Sequence, residues 1–393
     1  MRDVTASAKA DLATADRLMS VGPGHAETAR RTIYDAGNQP AFARRRGRGT
    51  SLNNSGRFET ERRVSFDDGW DTLDELPPFK TYVQGESARS IITRNTSPDI
   101  PFDRSINPYR GCEHGCSYCF ARPTHAYMGL SAGLDFESQL FFKKNAAALL
   151  ERDLSKAGYQ VAPIAMGTNT DPYQPVEKKY QITRSILEVL NATNHPVSIT
   201  TKSALILRDI DILSSMAERG LARVCISLTT LDHKLSRALE PRASTPTKRL
   251  DTIRELAAAG VPTSTNVAPV IPALNDHEIE RLLDSASAAG AEQAGYILLR
   301  LPEEVSPLFK DWLLRHAPNK YRHVMSLVRS MRGGKDYDAQ WGKRMRGEGP
   351  YAWQVKRRFE IQAKKLGLTP KRLDMRCDLF AAPRAGGVQL SLL

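Results

Sequence analysis

Between residues 139 and 301 helix-periodic segments alternate with short apolar β-like runs, and this alternation leaves the chain few possible folds. The β-like runs are Val161–Gly167, Val197–Thr201, Arg223–Leu228, Thr263–Val270 and Gly295–Leu301. The helix-periodic segments are Gln139–Ala157, Lys179–Asn191, Leu207–Arg219, Thr247–Ala259 and His277–Ala289. Strand, helix and strand joined by short connections imply parallel pairing with crossover helices. A further strand near Ser105–Tyr109 brings the repeat to six units. The expected fold is therefore α/β, a partial (β/α)6 barrel rather than a closed eight-fold one. Barrels collect their chemistry at the C-terminal ends of the strands.

The chemistry-bearing residues fall at such ends. The stretch Ile-Asn-Pro-Tyr-Arg-Gly-Cys-Glu-His-Gly-Cys-Ser-Tyr-Cys-Phe-Ala-Arg-Pro, residues 106–123, places Cys112, Cys116 and Cys119 in a C-x3-C-x2-C pattern. A [4Fe–4S] cluster needs a ligand on each of four irons, and thiolates are the usual protein ligands. Three clustered cysteines hold three irons and leave the fourth open to a small molecule. A zinc-stabilised nucleic-acid-binding protein is the alternative, with His114 or His125 as fourth ligand. No second Cys/His pair follows at zinc-finger spacing, and Pro108, Gly111, Gly115 and Pro123 flank the loop. A disulfide would leave one of the three cysteines over. Cys225 sits in the apolar run Ala-Arg-Val-Cys-Ile-Ser-Leu and reads as a buried small hydrophobe, while Cys377 is isolated; together they fall short of a second cluster.

Three further strand-end segments follow: Met-Gly-Thr-Asn-Thr-Asp-Pro-Tyr-Gln-Pro-Val-Glu (166–177), Thr-Thr-Lys-Ser (200–203) and Ile-Ser-Leu-Thr-Thr (226–230). In this order behind the cysteine loop, they resemble the spore-photoproduct-lyase-like branch of the radical S-adenosylmethionine (SAM) superfamily, and an uncharacterised bacterial group related to it. The resemblance runs from about residue 98 to 310, with weaker matches around Arg46–Glu59 and at the extreme C-terminus. It implies an enzyme, lyase-like, in which Cys112, Cys116 and Cys119 hold a [4Fe–4S] cluster whose open iron binds SAM. Reductive cleavage of SAM then yields a 5′-deoxyadenosyl radical, with an external electron donor. By the same resemblance Tyr118 walls the adenine, Thr170 bonds the methionine or ribose part, Lys202 pairs with the SAM carboxylate, and Ser227 donates to that carboxylate or the ribose. Asp171 and Glu177 bind ribose hydroxyls or shape the loop. Arg237, Glu240 and Arg242 read first as ion pairs stabilising a loop. Two positions depart from the lyases: Thr168 stands where their hydrogen-returning cysteine lies, and Phe120 where a tyrosine relays the hydrogen. The resemblance does not extend to that quenching chain.

Charge divides the chain unevenly. Residues 310–393 carry 19 Lys/Arg against 7 Asp/Glu, which accounts for the whole formal charge of +12. A localised basic surface suits a polyanion such as nucleic acid or a DNA lesion as substrate. Residues 1–75 read as a flexible arm, with Arg44, Arg45, Arg46 and Arg48 among glycines and a marginal helix at Ala10–Met19. The barrel is expected over 76–309, a basic helical extension over 310–382 and a flexible tail over 383–393. Gln389-Leu390-Ser391-Leu392-Leu393 resembles the peptides by which DNA repair proteins dock on the sliding clamp. No apolar stretch reaches membrane-spanning length and the start lacks a secretory apolar core, so the expected compartment is the cytoplasm.

Overall fold

A computed structural model describes residues 47–59, 80–368 and 375–383. The helix expected at Ala10–Met19, Arg44–Arg46 and the docking peptide Gln389–Leu393 lie outside the described residues. The strands are β1 (Tyr82–Glu86), β2 (Ile92–Arg94), β3 (Arg104–Ile106), β4 (Tyr109–Arg110), β5 (Gln139–Lys143), β6 (Ile164–Met166), β7 (Val197–Thr201), β8 (Ala222–Ser227), β9 (Thr263–Val270) and β10 (Gln293–Leu298). The main sheet runs β10-β9-β8-β7-β6-β3-β2 and is open. Its six strands from β3 to β10 pair in parallel and in sequence order, and β2 is added antiparallel. This is the partial (β/α)6 barrel.

Alternation along the strands separates two environments. Ile164, Met166, Val197, Ile199, Val224, Ile226 and Val267 belong to the main core beneath the helices. The opposite row, Ser198, Thr200, Cys225, Ser264 and Asn266, is half-buried and polar. A strand alternates sides at every residue, so this second row faces the inside of the open barrel. Closed barrels fill that space with branched apolar side chains; here it stays polar and reachable.

Three expected segments are corrected. Gln139–Ala157 is not one helix: Gln139–Lys143 is β5, parallel to β1 and antiparallel to β4 in a separate three-stranded sheet, and the helix covers Ala146–Leu154. An apolar run as short as Leu-Phe-Phe cannot be assigned by periodicity alone, and its aromatic content favours a strand. The strand near Ser105–Tyr109 is split between two sheets, with Asn107 and Pro108 unpaired between β3 and β4. The last run ends at Leu298, three residues early.

The chain after β10 is helical, with helices Val305–His316, which straddles the boundary expected at 309/310, Tyr321–Ser330 and Gly349–Lys365. It covers the free edge of β10: Ala294 N–H donates to Leu368 O (3.0 Å) and Leu298 N–H to Met345 O (3.0 Å). An exposed strand edge would otherwise present unpaired backbone groups. The same segment reaches the β2–β3 loop, where Gly342 N–H donates to Asp99 (2.7 Å) and Arg344 pairs with Asp99 (2.5 Å). Residues 342–345 thus tie the two ends of the open sheet together. Much of the basic charge is used in such contacts, including Arg358 with Glu280 (2.6 Å) and Lys310 with Asp336 (2.7 Å). Among the described residues no helix is long and apolar enough to cross a membrane.

Candidate active site

β4 leads directly into the cysteine loop, which Gly111 and Gly115 turn with φ of +74° and +67°. A side chain at Gly115 would meet the Glu137 carboxylate at 2.7 Å. The loop is bound from several sides: Cys112 N–H donates to Phe136 O (2.9 Å), Ser117 N–H to Leu239 O (2.9 Å) and Arg242 N–H to His114 O (3.3 Å). Residues 47–59, which composition assigned to the flexible arm, cross over it. Gly49 and Thr50 N–H groups donate to the two Glu137 oxygens (2.9 and 3.2 Å), and a Cβ on Gly49 would lie 1.6 Å from Gly115 O. Only glycine permits that approach.

Cys112 and Cys116 are buried and Cys119 is partly so. Burial pushes all three thiols up, Cys116 to about 12. Among the described residues no three His, Cys, Asp or Glu side chains stand in an arrangement that by itself holds a metal ion. His114 Nδ1 faces Asp171 at 3.4 Å, and His125 Nε2 lies 2.9 Å from Gln139 O. Each ring is engaged through one nitrogen only, and His125 Nδ1 is buried with no hydrogen-bond partner among the described residues.

Lys202, at the end of β7, lies above this loop with its Nζ 6.0 Å from the Tyr118 ring centre. Burial works against its charge, but Cys116 and Glu240 outweigh that and hold its pKa above the ordinary value. The ammonium makes no hydrogen bond or ion pair with any described residue. Tyr118 is fixed from below: its hydroxyl donates to Glu240, which also accepts from Thr229 (2.6 Å) and pairs with Arg249. Despite full burial, Arg249 and Lys202 hold the Glu240 carboxyl down to about 2. Ser227, at the end of β8, is buried; its carbonyl accepts from Arg249 (3.1 Å), while its hydroxyl bonds no described residue.

The remaining expected positions are mainly structural. The Thr170 hydroxyl donates to Tyr109 O (3.0 Å), so toward a ligand it offers only an acceptor. Asp171 accepts from Thr201 (2.7 Å), Lys202 N–H (2.8 Å) and Tyr173 N–H (2.9 Å), and Glu177 accepts from Tyr109, Thr183 N–H (3.0 Å) and Arg208 (2.7 Å). Both shape loops. Glu240 and Arg242 form the expected loop ion pairs, Arg242 with Glu113 at 2.7 Å. Thr168 lies beside Asn107 (3.3 Å), and the Phe120 ring carries the Arg300 guanidinium 4.7 Å above it. Cys225 departs from expectation: it stands half-buried on the inward polar row, opposite Thr200 and Ser264 in register, outside the apolar core. Sequence reasoning missed Arg122, Glu137, Asn107 and Arg249.

The profile of the Radical SAM superfamily matches residues 106–286, from β3 to the helix before β10. The chain is 38% identical over 230 residues to an uncharacterized protein of Mycobacterium tuberculosis, covering 57% of this chain and 68% of that one. It is 28% identical over 193 residues to a radical SAM Nalpha-GlyT isomerase of Pseudomonas phage M6, covering 47% of this chain and 36% of that one. The fold is similar to spore photoproduct lyase complexed with dinucleoside spore photoproduct, with TM-score 0.52 and 16% identity over 72% of this chain and 79% of the lyase. With its cysteine loop set at the mouth of an open parallel barrel, the chain is an enzyme of the radical SAM superfamily.

Proposed function

We propose that Cys112, Cys116 and Cys119 hold a [4Fe–4S] cluster, that Tyr118, Thr170, Lys202 and Ser227 hold SAM, and that the substrate is nucleic acid or a nucleic-acid lesion. The observation that carries the cofactor assignment is the Lys202 ammonium, which stays charged beside Cys116 and Glu240 yet forms no hydrogen bond or ion pair with any described residue. An enclosed ammonium calls for an anion, and the SAM carboxylate beside the cysteine loop supplies one. When bound, cluster and SAM supply a 5′-deoxyadenosyl radical that removes a hydrogen atom from the substrate.

The chain's own part is to bind, orient and shield. Lys202 and the Ser227 hydroxyl anchor the polar end of SAM. Tyr118, locked by Glu240, presents a fixed ring. Thr170 offers its oxygen as an acceptor. The inward row Ser198, Thr200, Cys225, Ser264 and Asn266 gives the substrate a polar lining. The nucleic-acid substrate is supported by the basic extension and by the dinucleoside bound to the structurally similar lyase. Because Thr168 and Phe120 replace the lyases' quenching pair, the reaction ends by another route than theirs.

Anaerobically purified protein is expected to be brown, to contain iron and sulfide, to bleach with dithionite, and to form 5′-deoxyadenosine from SAM in an assay run with and without DNA or RNA. A colourless protein carrying stoichiometric zinc and forming no 5′-deoxyadenosine would overturn this reading.

A further inference from the structure

Helix Gly349–Lys365 has two unlike faces. Ala352, Val355, Phe359 and Ala363 are buried against the barrel. Trp353, Lys356, Arg357, Ile361, Lys364 and Lys365 are exposed on the other side, at positions spaced three and four apart and so forming one stripe. From Trp353 to Lys364 the stripe is roughly 16 Å long at 1.5 Å per residue. It walls a groove of about 1310 Å³ whose floor includes Ala294 and Tyr296 of edge strand β10 and whose far side carries Arg346 and Gly347.

Two properties of this groove do not follow from folding. Trp353 is 62% exposed and stacks on no described aromatic ring. Five cations, Arg346, Lys356, Arg357, Lys364 and Lys365, line it against Glu348 and Glu360. Those acids are already partly compensated, Glu348 by Lys343 at 3.0 Å and Glu360 by Lys356 and Arg357 at 3.8 and 3.6 Å. Exposed pairs of this kind contribute little and exchange readily for a better anion.

We propose that this groove binds a single strand of nucleic acid, with phosphates along the cationic stripe and a base stacked on Trp353. A cationic track with an exposed aromatic platform is what a single strand needs, because every base offers a flat face while the backbone supplies regular charge. An acidic peptide would use the cations and leave the indole without a role. A duplex keeps its bases stacked inside and would likewise find no use for Trp353. Ala294 and Tyr296 of the groove belong to the core beneath the helices and not to the inward polar row, so the groove would hold the strand beside the barrel rather than in the reaction space. The inference extends the nucleic-acid reading of the substrate and rests on it for biological sense, though not for its test.

The test is binding of the full-length protein to a fluorescein-labelled deoxyoligonucleotide of about 12 nucleotides, within the site sizes that single-strand binders use, read by anisotropy at two salt concentrations. Trp353→Ala is expected to weaken binding by about 5- to 150-fold, the loss of one base stack. Lys356→Glu with Lys364→Glu is expected to lower the salt dependence by about one to two units of log–log slope. Parent-like affinity and slope in both variants would overturn the proposal. So would displacement of the oligonucleotide by polyglutamate of matched charge at equal concentration, which would assign the groove to acidic peptide, or equal affinity for the corresponding duplex. Binding is read without turnover. A protein that formed no 5′-deoxyadenosine would therefore sink the proposed function and leave this inference standing, and lost binding specificity would do the reverse.

Discussion

The Arg122 guanidinium and the Glu137 carboxylate meet at 2.5 Å with neither side chain exposed, directly beneath the cysteine loop. Each also does more than pair. Arg122 donates to Cys116 O (2.9 Å), Ala132 O (3.1 Å) and Gly133 O (2.9 Å), and Glu137 receives the Gly49 and Thr50 N–H groups of the overlying strap. The pair therefore couples the backbone that carries the cysteines to residues distant in sequence. Removing one partner of a buried pair leaves an uncompensated charge and costs about 3–5 kcal/mol. Glu137→Gln is expected to lower the melting temperature and to reduce iron retained after anaerobic reconstitution, measured together by calorimetry and iron assay. A parent-like protein on both counts would show that the strap and loop do not depend on the pair.

Substitution of the thiols separates cluster ligands from bystanders. Cys112→Ala, Cys116→Ala and Cys119→Ala should each lose iron and SAM cleavage, since a three-thiolate set has no spare member. Cys225→Ala and Cys377→Ala should keep iron, as both lie outside the loop. Iron and sulfide content per chain is the measurement. Loss of iron in Cys377→Ala would refute the three-ligand assignment.

What the sequence disclosed and what it hid divide along physical lines. The six parallel strands were legible because each is a β-rich run between amphipathic helices, and β7 and β9 match their expected bounds to the residue. The places of Lys202 and Ser227 at the ends of β7 and β8 were legible because those strands were, while their roles toward SAM come only from the resemblance. Gln139–Lys143 misled because a short apolar run before a helix has no period of its own. Cys225 misled because one residue in an apolar strand can face either side, and only pairing with Thr200 and Ser264 decides which. Arg122–Glu137, and Arg249 as the partner of Glu240, were hidden in another way: nothing local distinguishes a buried ion from a surface one. The strap at residues 47–59 carried turn chemistry and a weak family match, and the groups that hold it, Glu137, Asp135, Glu303 and Glu304, lie far along the chain.

Lys202→Ala should leave the cluster in place and weaken SAM binding. The contact it would remove is charge-assisted, worth about 1.5–3 kcal/mol, which corresponds to a loss of affinity of about 10- to 150-fold. Equilibrium dialysis of SAM against the anaerobic holoprotein reads this directly. Lys202→Arg should restore part of the affinity by keeping the charge, although its planar fork is a different shape. Unchanged affinity in Lys202→Ala would return the residue to a role as a solvated strand-end lysine.

Acid should destabilise the protein through a histidine far from the site. His195 is fully buried; its Nδ1 lies 3.1 Å from Pro196 O and its Nε2 2.8 Å from the Tyr159 hydroxyl. A carbonyl only accepts, so Nδ1 carries the proton and Nε2 accepts from Tyr159, whose oxygen lies within 3.4 Å of the Arg104 guanidinium. A second proton would have to displace the Tyr159 donor beside that positive charge. Burial, with Arg104 adding to it, pushes the imidazole down to about 4 from 6.5. The unfolded chain then binds more protons than the native one between those values, so stability is fully present above pH 6.5 and falls as pH drops toward 4. At 1.36 kcal/mol per unit the loss amounts to about 3 kcal/mol. Burial lowers His125 to about 4 as well, so it adds to the same window. Asp171 and Glu240, held near 2, lose their contribution only at lower pH. Urea denaturation at intervals from pH 7 to pH 4 should therefore show a declining free energy, with a shallower decline in His195→Gln, whose amide accepts from Tyr159 and does not titrate. Identical slopes in parent and variant would place the acid sensitivity elsewhere.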